Sequence, residues 1–487
     1  MKLIALVFGL VITLCVTQNG FAQVYQSQNQ NLSLNQNLSL NQNYSQNQNP
    51  TILFQINKNM LNYDASTFNN WLDSQVITSE KKLLEAMSYP DTAPGAVIAS
   101  PSKERPDYYY HWVRDAGLVM DVVVDLYKKS NNEDYKSYLD QKMRDYIQFS
   151  ISNQKSQALT GLGEPKFYVD GSPYNLPWGR PQNDGPALRA MTLIKWAHVK
   201  IAEGDINYVK TILYDGNYPS TSVIKADLEF VARHWRDANF DLWEEVSGDH
   251  FFTRMTQRAS LLQGAALAQK LGDFGASDWY LREAQKITSS LKAFTQAKMT
   301  SYIPATLNYA GGMDTKKSNI DIAVILGILR GENHDGFIKW TDPKVQNTLD
   351  TIVDSFKSLY PINSMANVPG VAIGRYPEDV YDGDGFQGGN PWVLTTLAVA
   401  EAYYEMAILE ASASTNKPDH KVIAKSLIDI GDKYFQRVQI HANPDGSLAE
   451  QISRFNGYMT SARDLTWSYA SVLTANWSRE RALKAVK

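Results

Sequence analysis

Cysteine is almost absent from this sequence. Among 487 residues only Cys15 is a cysteine, and it lies in an apolar segment near the N-terminus. A single cysteine cannot close a disulfide within the chain, which excludes the small folds that disulfides hold together. The fold must therefore depend on a buried core, for which 44% hydrophobic residues are sufficient.

An excess of one charge and long apolar runs are also missing. The formal net charge is −4, from 47 Lys and Arg against 51 Asp and Glu. No basic stretch indicates a nucleic-acid partner, and no acidic tail indicates a basic one. The apolar run at residues 3–16 is shorter than the roughly 20 residues that a membrane-spanning helix needs. We therefore expect a monomer that binds neither nucleic acid nor membrane.

The first 50 residues differ in composition from the rest of the chain. Residues 1–22 combine Lys2, the apolar run and small residues near position 22, which is the pattern of a signal peptide. Residues 23–50 repeat NQNLSL and have almost no apolar content, which is typical of a disordered spacer. The sequence thus predicts a secreted protein, extracellular or periplasmic in a bacterium, with its folded domain at residues 51–487.

From residue 51 onward the pattern is helical, and strand signals are sparse. Apolar residues recur at spacings of three and four, as in ALRAMTLIKWAHVKIA. This periodicity predicts an all-α domain of twelve helices, at residues 66–89, 113–130, 135–152, 185–203, 221–238, 253–271, 276–296, 318–330, 343–359, 390–411, 419–440 and 463–485.

Five connections between these helices are long and rich in Gly, Pro, Trp, Tyr, Asp and Glu. Long ordered loops are usually functional. If successive helices alternate in direction, every second connection lies at the same end of the molecule. The pattern therefore predicts a closed ring of helical hairpins with a pocket at one end. The five connections span residues 90–112, 153–184, 239–252, 360–389 and 442–462.

The third of these connections, NFDLWEEVSGDHFF, places three acids around a tryptophan. Asp241, Glu244 and Glu245 surround Trp243. One interpretation is a group of solvated acids at a helix N-terminus, where negative charge offsets the helix dipole. The other is a catalytic site, and the 27 Tyr and 11 Trp of the chain favour a sugar substrate, because these side chains combine an apolar face with a polar edge.

Five groups of motifs resemble the family 15 glycoside hydrolases, the glucoamylases, in their order and spacing. They are DYYYHWVRD; LGEPKF with WGRPQNDGPALRA; FDLWEE; GRYPEDVY with GNPWVL; and EQ with SARDLTWSYA. The resemblance implies an (α/α)6 barrel of six helical hairpins with the active-site pocket at one end. It also implies exo-cleavage of α-1,4-glucans and maltooligosaccharides with inversion, which releases β-D-glucose, and some α-1,6 cleavage.

Two alternatives stay open at this point. One is a glucodextranase-like hydrolase that prefers α-1,6 bonds, and the other is a non-catalytic glycan-binding protein. Neither these nor the glucoamylase interpretation requires a cofactor. The Asp- and Gly-rich stretch in GRYPEDVYDGDGF lacks the spacing and the terminal Glu of an EF-hand, so we expect no metal there.

Hydrolysis with inversion needs two carboxyl groups about 6.5–9.5 Å apart, one to protonate the leaving oxygen and one to activate water. Glu244 and Glu245 are too close in sequence to straddle a sugar ring conveniently, so the second group is expected on another connection, where Glu450 lies. The resemblance assigns Glu244 as the general acid and Glu450 as the general base. In this interpretation Trp243, as an apolar wall, and Glu245, as a charge, keep Glu244 protonated.

The resemblance also implies a set of substrate-binding residues. Arg114 and Asp115 would hold the terminal glucose, and Tyr108 would hold the attacking water. For each tryptophan the alternative is packing in the core, most evenly so for Trp467. The full set is Tyr108, Trp112, Arg114, Asp115, Trp178, Arg180, Asp241, Trp243, Glu245, Arg375, Trp392 and Trp467.

Overall fold

A computed structural model describes residues 56–413 and 419–487. In these two ranges twelve helices have nine residues or more. The predicted signal peptide and spacer, residues 1–22 and 23–50, lie outside the described residues. The helices are α1 (Phe68–Glu85), α2 (Val113–Lys129), α3 (Glu133–Lys155), α4 (Gly185–Ala202), α5 (Val223–His234), α6 (Phe251–Leu271), α7 (Phe274–Thr295), α8 (Ala323–Gly331), α9 (Pro343–Lys357), α10 (Val393–Ala411), α11 (Asp419–His441) and α12 (Thr466–Ala485).

All twelve predicted helices are present, and the largest error in their ends is at the start of α8. The prediction began this helix at residue 318, whereas it begins at Ala323. Asn319 explains the late start, because its φ is 58° and its side chain accepts a hydrogen bond from the backbone N–H of Thr306 (2.8 Å). Asp321 then accepts a hydrogen bond from the backbone N–H of Ala323 (2.7 Å), which stabilises the first turn.

Six of the helices form a closed inner ring. Going round the ring, α2, α4, α6, α8, α10 and α12 each pack against the next one, and α12 packs against α2. The other six helices pack on the outside, with α1 on α12, α3 on α2, α5 on α4, α7 on α6, α9 on α8 and α11 on α10. This arrangement is the predicted (α/α)6 barrel.

The position of a helix in the barrel follows from its pattern of apolar residues. The inner helix α10 has the sequence VLTTLAVAEAYYEMAILEA and is buried on most of its faces. The outer helix α9 buries a single stripe that includes Val345, Leu349, Ile352 and Phe356. A helix that is apolar nearly all round belongs inside a protein, and one with a single stripe covers its surface.

Seven short strands lie in the connections that lead into the inner helices. The first two strands pair with each other, the next three form one antiparallel sheet, and the last two pair with each other. The strands are β1 (His111–Trp112), β2 (Lys166–Phe167), β3 (Asn239–Phe240), β4 (Val246–His250), β5 (Thr306–Gly312), β6 (Ala449–Ile452) and β7 (Met459–Arg463).

Two of these pairings and one isolated bridge each join two neighbouring connections. The pair β1–β2 joins the connections before α2 and α4, and β4–β5 joins those before α6 and α8. An isolated bridge between Trp392 and Gln451 joins those before α10 and α12. Five of these six connections were predicted to meet, but the sixth, residues 296–322, was not singled out. None of the helices in the described ranges is long and apolar enough to cross a membrane.

Candidate active site

Glu244 lies in the tight turn between β3 and β4. The side chain of Asp241 holds this turn by accepting hydrogen bonds from the backbone N–H groups of Glu245 (2.8 Å) and Val246 (3.1 Å). The backbone N–H of Glu244 donates to the carbonyl of Asp241 (2.9 Å). Glu244 has a φ of 68°, which a residue with a side chain rarely adopts. The turn therefore fixes the direction in which the Glu244 side chain leaves the backbone.

The carboxyl group of Glu244 is held at one of its two oxygens. Its Oε1 accepts hydrogen bonds from Trp112 Nε1 (2.7 Å) and Gln182 Nε2 (3.1 Å). Arg114 Nη2 lies 3.6 Å from the same oxygen. Within residues 56–413 and 419–487 no side chain or backbone group hydrogen-bonds to Oε2. One oxygen is thus anchored, and the other is available to a ligand.

The two predicted neighbours of this carboxyl group have other partners. The indole of Trp243 donates to both carboxylate oxygens of Asp321, at 3.0 and 3.1 Å. The Glu245 side chain is 13% exposed and lies 2.7 Å from the guanidinium of Arg375. The three consecutive residues 243–245 therefore contact three different parts of the site. The predicted influence of Trp243 and Glu245 on the acid stays a prediction.

Arg114 and Asp115, at the start of α2, lie beside the acid. Arg114 Nη1 donates to Gln182 Oε1 (2.8 Å) and to Asp184 Oδ2 (3.0 Å), and both of these partners escaped the sequence analysis. Arg114 Nε is 3.8 Å from Asp115 Oδ2. Burial raises the pKa of Asp115 to about 6, although Arg114 opposes the rise. The cation is thus surrounded by acids, one of which is Glu244.

Glu450 lies on β6 and is 1% exposed. Its Oε2 accepts hydrogen bonds from the hydroxyl of Ser461 on β7 and from Gln451 Nε2 (3.0 Å). Burial raises the pKa of Glu450 to about 7, and the hydroxyls of Ser461 and Tyr108 together with the charge of Arg375 limit the rise. A carboxyl group with this pKa can exchange a proton near neutral pH.

Tyr108 lies between the two candidate catalytic groups. Its hydroxyl is 2.9 Å from that of Tyr381, and its ring centroid is 5.4 Å from that of Trp112. Trp112 in turn donates to Glu244, and Glu450 lies close enough to Tyr108 to raise the pKa of its hydroxyl further than burial does alone. Trp112 and Tyr108 therefore link the two carboxyl groups, which do not hydrogen-bond to each other.

Arg375 organises a second group of acids. It forms a paired interaction with Asp379, with Nε at 2.8 Å and Nη2 at 2.6 Å. The same Nη2 lies 2.7 Å from Glu245 Oε1, and the hydroxyl of Tyr376 donates to Glu245 Oε2 (2.7 Å). Burial raises the pKa of Glu245 to about 7, although Arg375 opposes the rise. Arg375 is itself buried and joins Asp379 and Glu245 through one guanidinium group.

Trp243 and Trp392 form an aromatic wall next to Arg375. Their ring centroids are 5.7 Å apart, and the Arg375 guanidinium lies 5.4 Å from the first ring and 5.3 Å from the second. The Trp392 Nε1–H is buried and has no hydrogen-bond partner among the described residues. A buried donor without a protein partner is a position that a ligand or water can complete.

A second aromatic group surrounds Lys166, a residue that the sequence analysis did not single out. Its Nζ lies 3.3 Å from the centroid of the Trp178 ring and 4.6 Å from that of Trp112. Tyr110 and Tyr174 complete the group, at 4.3 and 4.0 Å. Burial lowers the pKa of Lys166 to about 8. Trp178 is 37% exposed, so its ring has a free face on the surface.

Arg180 and Trp467 have mainly structural contacts. Arg180 donates to Glu164 (3.0 Å) and to the backbone carbonyls of Tyr174 and Leu176 (2.8 Å each), all within its own connection. Trp467 is 6% exposed and belongs to the apolar core, which fits the alternative given for it. Their contacts with substrate stay predictions.

Comparison with known proteins identifies the family of this chain. The family described as glycosyl hydrolases family 15 matches residues 81–477. The chain is 38% identical to the glucoamylase of Blastobotrys adeninivorans over 85% of its length and 73% of that protein. It is 37% identical to glucoamylase 1 of Rhizopus oryzae over 86% of its length and 72% of that protein.

Solved structures agree with the sequence relatives. The glucoamylase of Saccharomycopsis fibuligera superposes with a TM-score of 0.77 and 31% identity, over 86% of this chain and 97% of that one. The family 15 glucoamylase of Hypocrea jecorina gives a TM-score of 0.76 and 31% identity, over 85% and 72%. The chain therefore belongs to the glycosyl hydrolases of family 15, the glucan-hydrolysing glucoamylases.

Proposed function

We propose that Glu244 and Glu450 carry out the hydrolysis of α-glucans by this chain, with Glu244 as the general acid and Glu450 as the general base. The reaction releases β-D-glucose from the non-reducing ends of α-1,4-glucans and maltooligosaccharides with inversion. The observation that carries this proposal is the pair of carboxyl groups on separate connections, one anchored at a single oxygen and one buried beside a tyrosine hydroxyl.

The first proton transfer is assigned to Glu244. Trp112 and Gln182 hold its Oε1, which leaves Oε2 to carry the proton. This proton passes to the glycosidic oxygen as the bond between C1 and that oxygen breaks. The shortened glucan leaves with a new hydroxyl group at its non-reducing end.

The second proton transfer is assigned to Glu450. A water molecule attacks C1 from the face opposite the leaving oxygen and gives a proton to the Glu450 carboxylate, which inverts the configuration. The Tyr108 hydroxyl interacts with Glu450 and is assigned to orient this water. One proton has then left Glu244 and one has been gained by Glu450, so exchange with solvent restores the starting state.

Substrate recognition is assigned to the charged and aromatic residues around these acids. Arg114 and Asp115 present a donor and an acceptor side by side, which suits neighbouring sugar hydroxyls. Arg375 and Glu245 present a second such pair. A further group offers aromatic surface to the sugar rings, namely Trp112, Trp178, Trp243 and Trp392.

The test is proton NMR of fresh enzyme with maltotriose, followed within minutes so that the anomers do not equilibrate. We expect the β-anomeric signal of free glucose to appear first, together with maltose. Glucose of the α configuration appearing first would contradict inversion and the two assigned roles. The Glu450→Gln variant should bind maltotriose in calorimetry but lose at least about 100-fold in turnover, since its amide cannot accept a proton.

The two alternatives correspond to other outcomes of this experiment. Hydrolysis of isomaltose faster than of maltose would identify a preference for α-1,6 bonds. Binding of both sugars without turnover would identify a glycan-binding protein, although such a protein has no use for two catalytic carboxyl groups.

We also propose that the protein is exported, on the basis of the N-terminal pattern at residues 1–22. A relative that is 31% identical, from Saccharomyces cerevisiae, is described as an intracellular sporulation-specific glucoamylase, so family membership does not decide the location. N-terminal sequencing of protein recovered from the culture medium or periplasm should begin near Gln23. Full-length protein confined to the cytoplasm would contradict export.

A further inference from the structure

A lysine in the connection before α8 lies next to the turn that carries Glu244. The Lys316 side chain is 9% exposed, and its Nζ lies 2.9 Å from Asp241 Oδ2 and 2.7 Å from Asp321 Oδ2. The ammonium group also lies 4.2 Å from the centroid of the Tyr376 ring. Burial disfavours the charge, but the nearby acids hold the pKa of Lys316 above its ordinary value, so it remains an ammonium ion.

The two acids that meet at Lys316 hold different parts of the same turn. Asp241 accepts hydrogen bonds from the backbone N–H groups of Glu245 and Val246. Asp321 accepts the single N–H of the Trp243 indole, which its two carboxylate oxygens share. The residues before and after Glu244 therefore bond to two different carboxylates. Lys316 forms a salt bridge with each of these carboxylates.

No other Lys or Arg in the described part of the chain forms a salt bridge with Asp241 or Asp321. Loss of the ammonium would leave two buried carboxylates facing each other without a cation. Buried like charges repel strongly, and each would move toward water or take up a proton. Movement of either carboxylate would release the turn, and protonation would weaken the hydrogen bonds that hold it.

We propose that Lys316 is a positioning residue of the reaction, which fixes the turn that carries Glu244 and so directs the general acid at the leaving oxygen. This inference rests on the proposed role of Glu244. Lys316 forms salt bridges with Asp241 and Asp321 and none with Glu244. Its effect is therefore on the direction of the acid and not on the chemistry of the base.

The experiment compares two substrates that differ in their need for an acid. Maltose must have its leaving oxygen protonated, whereas α-glucosyl fluoride loses fluoride, which needs little protonation. In the second reaction water still attacks C1 and gives its proton to Glu450. A displaced acid therefore slows the hydrolysis of maltose much more than that of the fluoride.

For Lys316→Met we expect kcat on maltose to fall about 100-fold, as for a catalytic group displaced by about 1 Å. The fall on α-glucosyl fluoride should be less than about 10-fold. The matched control is Lys317→Met, because the neighbouring Lys317 is 76% exposed and lies 3.8 Å from Asp314, away from the turn. It should change neither rate.

Equal losses on the two substrates, or the same losses in Lys317→Met, would overturn the proposal. The Lys316→Arg variant keeps the charge but changes its reach, and it should show a smaller selective loss on maltose. If thermal melting shows that Lys316→Met does not fold, Lys316→Arg replaces it in the comparison of the two substrates. A non-selective loss in Lys316→Arg would then count against the proposal.

Glu244→Gln, measured in parallel, separates this proposal from the one on which it rests. A selective loss on maltose in Glu244→Gln with equal losses in Lys316→Met would contradict only the role of Lys316. Equal losses in Glu244→Gln would contradict the assignment of the acid, and the role of Lys316 would fall with it.

Discussion

At the scale of single residues, Glu450 is subject to two opposing influences. Burial raises its pKa to about 7, whereas the hydrogen bond from the Ser461 hydroxyl to its Oε2 favours the charged form and lowers the pKa. Only the carboxylate can take a proton from water. In the proposed mechanism the balance between these influences therefore sets the lower pH limit of activity.

We predict that Ser461→Ala moves this limit to higher pH. Removal of the hydroxyl takes away a group that stabilises the carboxylate, so the pKa of Glu450 rises. The acid limb of kcat/KM for maltose should shift upward by up to about one pH unit, since one unit corresponds to about 1.4 kcal/mol, the size of one hydrogen bond to a charged group. The measurement is the profile of kcat/KM against pH.

The neighbouring Thr460 provides the control for this prediction. It lies on the same strand, β7, and no hydrogen bond joins its side chain to Glu450 among the described residues. Thr460→Val should leave the acid limb in place. An acid limb in Ser461→Ala that is unchanged or moves to lower pH would show that Glu450 does not set it.

The sequence identified many of the residues in this site but not their contacts. Glu244, Glu450, Arg114 and Arg375 lie in motifs that the family shares, and the structure brings them together. Which way a side chain points depends on contacts between distant connections. The indole of Trp243, for example, donates to Asp321, which lies 78 positions further along the chain.

The residues that sequence analysis missed were missed for one reason, which is that their contacts form only when the chain folds. Gln182 and Asp184 were inside a quoted motif, but nothing in their spacing showed that they would bond to Arg114. Lys316 and Asp321 lie in the connection before α8, whose composition is ordinary. A buried lysine between two acids is visible only after the chain has folded.

At the scale of elements, the inner helices α6 and α8 approach each other closely at a glycine. A Cβ placed on Gly331, at the end of α8, would lie 2.7 Å from the backbone carbon of Met255 on α6 and 2.8 Å from its carbonyl oxygen. Backbone atoms cannot rotate away as the end of a side chain can. The contact therefore needs a residue without a Cβ.

We predict that Gly331→Ala lowers the free energy of unfolding by roughly 1–3 kcal/mol, the usual cost of overpacking a core. Gly275, on the outer helix α7, is the matched control, because a Cβ there would meet nothing within 4 Å. Gly275→Ala should be neutral or raise stability by up to about 1 kcal/mol, since alanine favours helix. Urea unfolding of both variants measures the difference, and equal effects would contradict the close approach.

Helices and strands differed in how well the sequence predicted them. The helices follow from a spacing of three and four residues that is local to each segment, as in α9 with Val345, Leu349 and Ile352. The strands are two to seven residues long, and the pairs β1–β2 and β4–β5 form only where two connections meet. Trp112 pairs with Lys166, which lies 54 positions further along the chain, so no local sequence pattern predicts this pairing.

At the scale of the whole molecule, the barrel closes without a covalent link. The last helix, α12, packs against α2, and the first helix, α1, packs on α12. The two ends of the described chain are thereby held by apolar contacts and not by a disulfide. The stability of the barrel then depends on what is buried inside it, and several buried groups are titratable.

These buried groups affect stability in opposite directions. The folded protein binds a proton at Glu450 more tightly than the unfolded chain does, so this residue favours folding less as pH rises from about 4.5 to about 7. His111 and His441 are also buried, and burial lowers the pKa of each to about 3. They make the folded state less stable as pH falls from about 6.5 to about 3. The dependence of the parent's free energy of unfolding on pH contains all of these contributions. A comparison of the parent with a variant of one group isolates the contribution of that group.

We predict that Glu450→Gln becomes more stable relative to the parent as pH rises, because it removes a carboxyl group that must lose its proton inside the core. The difference in free energy of unfolding should grow by roughly 3 kcal/mol between pH 4 and 8, from a pKa shift of about 2.5 units at about 1.4 kcal/mol each. Urea unfolding at constant ionic strength across this range measures it. Glu133→Gln is the control, since that side chain is 82% exposed. If the difference in free energy of unfolding between Glu450→Gln and the parent does not change with pH, Glu450 titrates in the folded protein as it does in the unfolded chain.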